Sequence, residues 1–209
     1  MSREQILERI RAGLADVSAP ADRAELPVVP APQTFGDPVA MFIERARQLT
    51  MTAEIVTSMD EAAVRAAAWC AGRGARRAAA WNTPELRSVI DRLRDAGIEV
   101  LPAGAPLGAL AGADVGVTGA EWGIAETATL VLPTDADRPR LTSLLPPAHV
   151  AILSADRILS DLPALFARCG ALPSALTLIT GPSRSADIGF VPVLGAHGPM
   201  AVAVFVVAT

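Results

Sequence analysis

Apolar residues along this chain change their spacing near residue 50. Before it they recur at helical intervals; after it, short unbroken apolar runs alternate with helical stretches. Ile6, Leu7, Ile10 and Leu14 share one helical face, and Ser2 with Gln5 has the spacing of a capping box, so an amphipathic helix is expected over Ser2 to Leu14. The next segment holds Pro20, Pro27, Pro30, Pro32 and Pro38 and reads as a linker. A second helix is expected from about Pro38 to Leu49. These signals divide the chain into an N-terminal helix (1–17), a Pro-rich linker (18–37) and a main domain (38–209).

In the main domain, strands are expected at 52–57, 78–81, 98–101, 113–118, 128–132, 148–153, 175–180 and 201–207. Helices are expected over 59–72, from Thr83-Pro84-Glu85 to a stop at Gly97, and over 155–169. Short, continuously apolar strands alternating with helices imply an α/β fold, with a mostly parallel sheet covered by helices on both faces.

Composition narrows the chemistry. All 18 basic residues are arginine, and tyrosine is absent. These absences exclude a Schiff-base lysine, a phosphate loop with its lysine, and a tyrosine acid or nucleophile. Cys70 and Cys169 fall in expected helices as buried free thiols, and with His149 and His197 they show no metal-ligand spacing. Two cysteines cannot hold a four-thiolate iron–sulfur cluster, so no cofactor of its own is expected. The net charge of −4 gives no reason to expect nucleic acid. The longest apolar run, Met200 to Ala208, is too short to cross a bilayer. The charged start Met1-Ser-Arg-Glu-Gln is not a secretory signal, so a cytoplasmic protein without membrane contact is expected.

Three polar loops at strand ends carry the candidate chemistry, because ligands of open α/β sheets bind at carboxyl ends of strands. The first, Val117 to Thr129, contains Thr118, Gly119 and Thr127. It also holds Glu121 and Glu126, carboxylates among apolar residues and thus candidates for a base or nucleophile. The second, Arg138 to His149, offers Arg140 as an anion fork with Ser143 beside it, and His149 as a candidate catalytic imidazole. The third runs from Thr180 through Gly181, Ser183, Arg184 and Asp187 to His197 and Gly198; it combines free amides, hydroxyls and a guanidinium, with Asp187 placed to orient Arg184.

The segments Gly-Ile-Ala-Glu-Thr-Ala-Thr (123–129), Ser-Leu-Leu-Pro-Pro-Ala-His (143–149), Ile-Thr-Gly-Pro-Ser-Arg-Ser-Ala-Asp-Ile (179–188) and Gly-Ala-His-Gly-Pro (195–199) resemble the LUD domain family, in particular its stand-alone lactate utilization protein C type. The resemblance covers roughly residues 40–207. It implies a fold like the sugar-phosphate isomerase and CoA-transferase superfamily. It also implies a role in bacterial L-lactate oxidation to pyruvate, beside iron–sulfur lactate utilization proteins that carry the redox centres. Two positions depart from the family pattern. Ala128 stands where the family usually has glycine, which implies a turn that is right-handed or tighter than usual, and Gly189 replaces an acid.

Three functions follow from these readings. A non-redox component of lactate oxidation would bind a small carboxylate or phosphorylated ligand at the three loops, clamped by Arg140 and Arg184. An enzyme would use Glu126 as acyl-accepting nucleophile, or Glu121 or Glu126 as a base. An adaptor would dock through the N-terminal helix. Self-association into a homo-oligomer is compatible with each.

Overall fold

Helix α1 (Arg3–Ala15) begins with the reciprocal bonds that its sequence encodes: the Ser2 amide donates to Gln5 Oε1 at 2.8 Å and the Gln5 amide to Ser2 Oγ at 3.3 Å. It belongs to the smaller of two compact units, Met1–Pro30, and the rest of the described fold belongs to Ala31–Thr209. The computed structural model describes residues 2–15, 30–33, 36–102, 104–169, 173–186, 192–195 and 197–208. Asp187 and Gly189 lie outside the described residues.

The larger unit opens with α2 (Pro38–Gln48), capped by the Asp37 carboxylate on the Val39 and Ala40 amides. Strand β1 (Thr52–Val56), α3 (Met59–Gly72) and β2 (Arg77–Ala80) follow. A 3₁₀ turn over Pro84–Leu86 leads into α4 (Arg87–Asp95), then β3 (Glu99–Leu101), α5 (Leu107–Ala111) and β4 (Val115–Gly119). Thr83, expected as the helix cap, makes no capping bond; the 3₁₀ turn separates it from α4. After β4 come β5 (Trp122–Ile124), β6 (Thr129–Pro133), α6 (Leu141–Leu144) and β7 (Ala148–Ser154). The chain continues with β8 (Ile158–Leu159), α7 (Leu162–Arg168), β9 (Leu176–Ile179), β10 (Arg184–Ala186), β11 (Pro192–Leu194) and β12 (Ala201–Val207).

Six strands form the central sheet in the order β1-β12-β7-β4-β2-β3, and every neighbouring pair is parallel. The unbroken apolar runs of β7 and β12 follow from this position, since Val150, Ala151, Leu153, Val204 and Val206 are all fully buried. On one face α3 packs against α4 and β12, and its Trp69 and Cys70 share a small cavity with Val115 and Ala148. Strand alternation turns Gly116 to the other face. There the Thr142 carbonyl of α6 lies so close that an added Cβ would come within 1.8 Å of its oxygen. Only glycine admits α6 at that distance.

The second face is not covered by helices alone. A four-stranded sheet, β8-β5-β6-β9, packs on α2 through β8 and on the central sheet through contacts between β5 and β7. Gly123 of β5 meets the side chains of Leu153 and Phe42, while Ile124, Val131, Leu159 and Leu165 form a smaller core on the outer side. Residues 155–169, expected as one helix, supply a 3₁₀ turn, the short β8 and α7 instead. Asp161 breaks the run: it is extended, and its carboxylate caps the Ala164 amide at 2.8 Å, with a proline in the first turn. Cys169 is therefore at the end of α7 and only half-buried, unlike Cys70, whose thiol burial pushes up to about 12.

The core also encloses polar groups. Thr118 of β4 and His149 of β7 are fully buried, with Thr118 Oγ1 2.8 Å from His149 Nε2, and no partner reaches His149 Nδ1 among the described residues. Desolvation holds the imidazole down at about 4. His149 is thus a fully buried, neutral element of the sheet rather than an exposed catalytic imidazole.

Ala128, between β5 and β6, has φ 51° and is fully buried. The turn is therefore left-handed despite the alanine, so the right-handed alternative is discarded. Alanine in this region costs about 1 kcal/mol.

Two outcomes test these assignments. Ala128→Gly relieves the backbone while losing one buried methyl, so its urea-unfolding free energy should match or exceed wild type; Ala125→Gly, equally buried but without the positive φ, should lose about 1 kcal/mol. Equal losses at both sites would contradict the left-handed assignment. His149 binds a proton in the unfolded chain near pH 6.5 but in the folded one only near 4, so its contribution is complete above pH 6.5 and falls with pH between these values. Wild type should lose about 2 kcal/mol from pH 7 to pH 5 through this group, and His149→Gln should flatten the slope. An unchanged slope in His149→Gln would assign the acid sensitivity to other groups.

Candidate functional site

Because the central strands are parallel, their carboxyl ends share one rim. The segments leaving β1, β2, β4, β7 and β12 open there onto a cleft of about 430 Å³. Its lining includes the apolar side chains of Met59, Trp81, Ile152 and Val207. It also includes the charged side chains of Glu85, Glu121, Arg138 and Arg157.

Each polar group has an identifiable support. The Glu121 amide donates to the Val131 carbonyl at 2.9 Å, and the neighbouring Ala120 amide to Ile152 at 2.8 Å, which fixes the backbone where β4 passes into β5. Trp81 Nε1 donates to the Pro139 carbonyl at 3.2 Å, and the Asn82 amide to Asp137 at 3.2 Å; together they pin the loop carrying Arg138 to the end of β2. Arg138 is anchored by Asp135, whose Oδ2 accepts from Nε at 2.7 Å and lies 2.5 Å from Nη2. That bond holds the Asp135 carboxyl below its usual range and raises Arg138. Arg157 stacks over Trp122, its guanidinium carbon 4.7 Å from the ring centroid, with Arg168 at 5.6 Å from the same ring.

Glu121 bridges the two arginines. Its Oε2 is 3.3 Å from Arg138 Nη1, and its Oε1 is 3.4 Å from Arg157 Nη1. Glu85 lies beside Gly119, makes no direct hydrogen bond among the described residues, and is close enough to Arg138 for its charge to help raise that guanidinium. The cleft thus offers two anchored guanidinium groups, two carboxylates and apolar side chains. That set can receive an organic anion with an apolar body.

The three loops expected to converge do not share one place. Glu121 and Gly119 line the cleft, while Thr118 is in the core with His149. Arg140 starts α6, exposed and without a side-chain partner among the described residues, and it does not line the cleft. Ser143 is buried, donating to the Arg140 carbonyl at 3.0 Å as part of the α6 turn.

The remaining candidates collect at the opposite rim. Strand β5 leaves the carboxyl rim, so Glu126 and Thr127, at its far end, are exposed away from the cleft; the Glu126 amide donates to Ser160. Strand β9 is antiparallel to β6, so Thr180 lies beside Thr129, where the hydroxyls of Thr127, Thr129 and Thr180 form a chain of 2.7 Å contacts. Gly181 packs on Leu49, and Arg184 donates to Thr50 Oγ1 at 2.9 Å and the Leu49 carbonyl at 3.4 Å, just before β1. The Ser183 amide donates to Pro199, His197 is exposed with its amide on Ser183 Oγ, and Gly198 packs on the Ser183 side chain. Arg140 and Arg184 therefore do not form one clamp, and Glu126 does not face Glu121.

Sequence reasoning missed Trp81, Glu85, Arg138 and Arg157 as site residues. The available signal was position: each follows a strand of the parallel sheet or lies in a loop bonded to such an end. Among the described residues no group of three or more His, Cys, Asp or Glu side chains is placed to hold a metal ion. No described helix is long and apolar enough to cross a membrane.

The LUD domain profile matches residues 39–207. The chain is similar to lactate utilization protein C of Bacillus velezensis, 40% identical over 102 residues that make up 46% of this chain and 42% of that protein. It is similar also to lactate utilization protein C of Bacillus licheniformis, at 37% identity over 102 residues with the same shares. These alignments span about two fifths of the length of the relatives. A solved structure of a DUF162 family protein from Deinococcus radiodurans superposes with a TM-score of 0.60 and 26% identity, covering 84% of this chain and 99% of that one. With the family profile matched across β1 to β12, the chain belongs to the LUD domain family.

Proposed function

We propose that this chain serves L-lactate utilization by binding a small organic anion in the carboxyl-end cleft, while iron–sulfur partner proteins carry the oxidation of lactate to pyruvate. The relatives named lactate utilization protein C supply the pathway. The observation that carries the binding role is the cleft itself: two guanidinium groups, Arg138 and Arg157, line it together with the apolar side chains of Met59, Trp81, Ile152 and Val207. Arginine forks suit carboxylate or phosphate, and apolar side chains suit the ligand's carbon skeleton. The volume, about 430 Å³, exceeds what lactate alone would fill, so the ligand is larger than lactate or shares the cleft with water or a partner side chain.

A catalytic version of this reading places the acid–base or nucleophilic role on Glu121 rather than Glu126, because Glu121 lines the cleft and Glu126 does not.

The test is growth on L-lactate of a strain whose own copy is replaced by variants. Arg157→Ala should abolish growth on lactate while leaving growth on an unrelated carbon source intact, and Arg184→Ala, at the opposite rim, should grow. Normal growth of Arg157→Ala at wild-type protein abundance would overturn the assignment of the cleft.

A further inference from the structure

Glu121 occupies the position that a ligand anion would take. Its two oxygens reach two guanidinium groups brought from different segments, Arg138 from the β6–α6 loop and Arg157 from the turn after β7. A bound carboxylate or phosphate bridging the same two arginines would meet this side chain first.

Three features show that Glu121 is held loosely while its partners are held firmly. Both of its contacts are single and long, 3.3 and 3.4 Å, between partly exposed groups, and such pairs contribute little. Arg138 keeps its shorter bonds to Asp135, and Arg157 keeps its stacking on Trp122, so neither arginine depends on Glu121 for its place. The Glu121 backbone is fixed through its amide bond to Val131, so rotation of the side chain alone would vacate the site. Glu85 also lies within electrostatic reach of Arg138, so with Glu121 seated the two arginines are balanced by two carboxylates, and moving Glu121 away is what leaves net positive charge for an anion.

We propose that Glu121 is an internal counter-ion of the anion subsite, displaced from Arg138 and Arg157 when an organic carboxylate or phosphate binds. This rests on reading the cleft as the ligand site, and it adds that the empty site is self-blocked. Affinity then reflects a competition between the ligand and Glu121. Removing the competitor's charge strengthens binding, whereas a carboxylate that itself contacts the ligand or does chemistry on it would weaken binding or abolish turnover when neutralised.

The experiment is calorimetric titration of wild type, Glu121→Gln, Arg157→Ala and the double variant with pyruvate, L-lactate and inorganic phosphate, after thermal melts confirm cooperative folding. Glu121→Gln should bind the responding probe about three- to tenfold more tightly than wild type, the range expected from losing two exposed ion pairs. Arg157→Ala should bind it more weakly, and the double variant should not recover the gain. Whether pyruvate and L-lactate respond, or phosphate does, assigns the anion as carboxylate or phosphate. Should Glu121→Gln fold poorly, Glu121→Ala, which also removes the competing charge, should show the same tightening. Equal or weaker binding by Glu121→Gln, with binding still lost in Arg157→Ala, would overturn the counter-ion role and leave the cleft as the site. No binding of any probe by wild type or variants would overturn both.

Discussion

Parallel pairing of six strands is the constraint from which the functional geometry follows. Each strand of the central sheet must end on the same rim, so the residues that follow β1, β2, β4, β7 and β12 are gathered regardless of their distance in sequence. Trp81, Glu121 and Arg157 meet for that reason alone. Close packing keeps the strands in register: Gly116 lets the α6 backbone lie on β4, and the buried Thr118–His149 bond ties β4 to β7. A bulkier residue at Gly116, or a charged His149, would disturb the sheet that sets the rim.

The order of elements was legible in the sequence because both periods are strong. The apolar runs of β4, β7 and β12 require little tertiary information. Residues 155–169 were less legible. Their apolar positions satisfy a helix, and only pairing of Ile158 and Leu159 with β5 makes a strand there. Such pairing is a tertiary fact. Of the second sheet, β6 and β9 were legible as strands, but β5 and β8, three and two residues long, were not, and neither was the pairing that sets these four strands apart from the central sheet.

The site was legible only in part, and the reason is directional. Polar loops after apolar runs were all assigned to carboxyl ends, which holds for Glu121 after β4. It fails for Thr180 to Arg184, because β9 belongs to the smaller sheet and is antiparallel to β6. It fails for Glu126 as well, since β5 turns back from the rim. Strand direction in the smaller sheet is set by pairing, which no local pattern states. Ala128 is a different case. The sequence identified it as a departure from the family's glycine, and the backbone keeps the glycine-like conformation regardless, so the turn is imposed by the surrounding fold.

The cleft and the opposite rim make separable claims about where an anion binds. The most direct measurement is a crystal structure of the protein soaked with pyruvate, read at both rims. The account predicts a carboxylate bridging Arg138 and Arg157, with the Glu121 side chain turned away from both. Density for the anion beside Arg184 and Thr180, with Glu121 still seated between the two arginines, would contradict it.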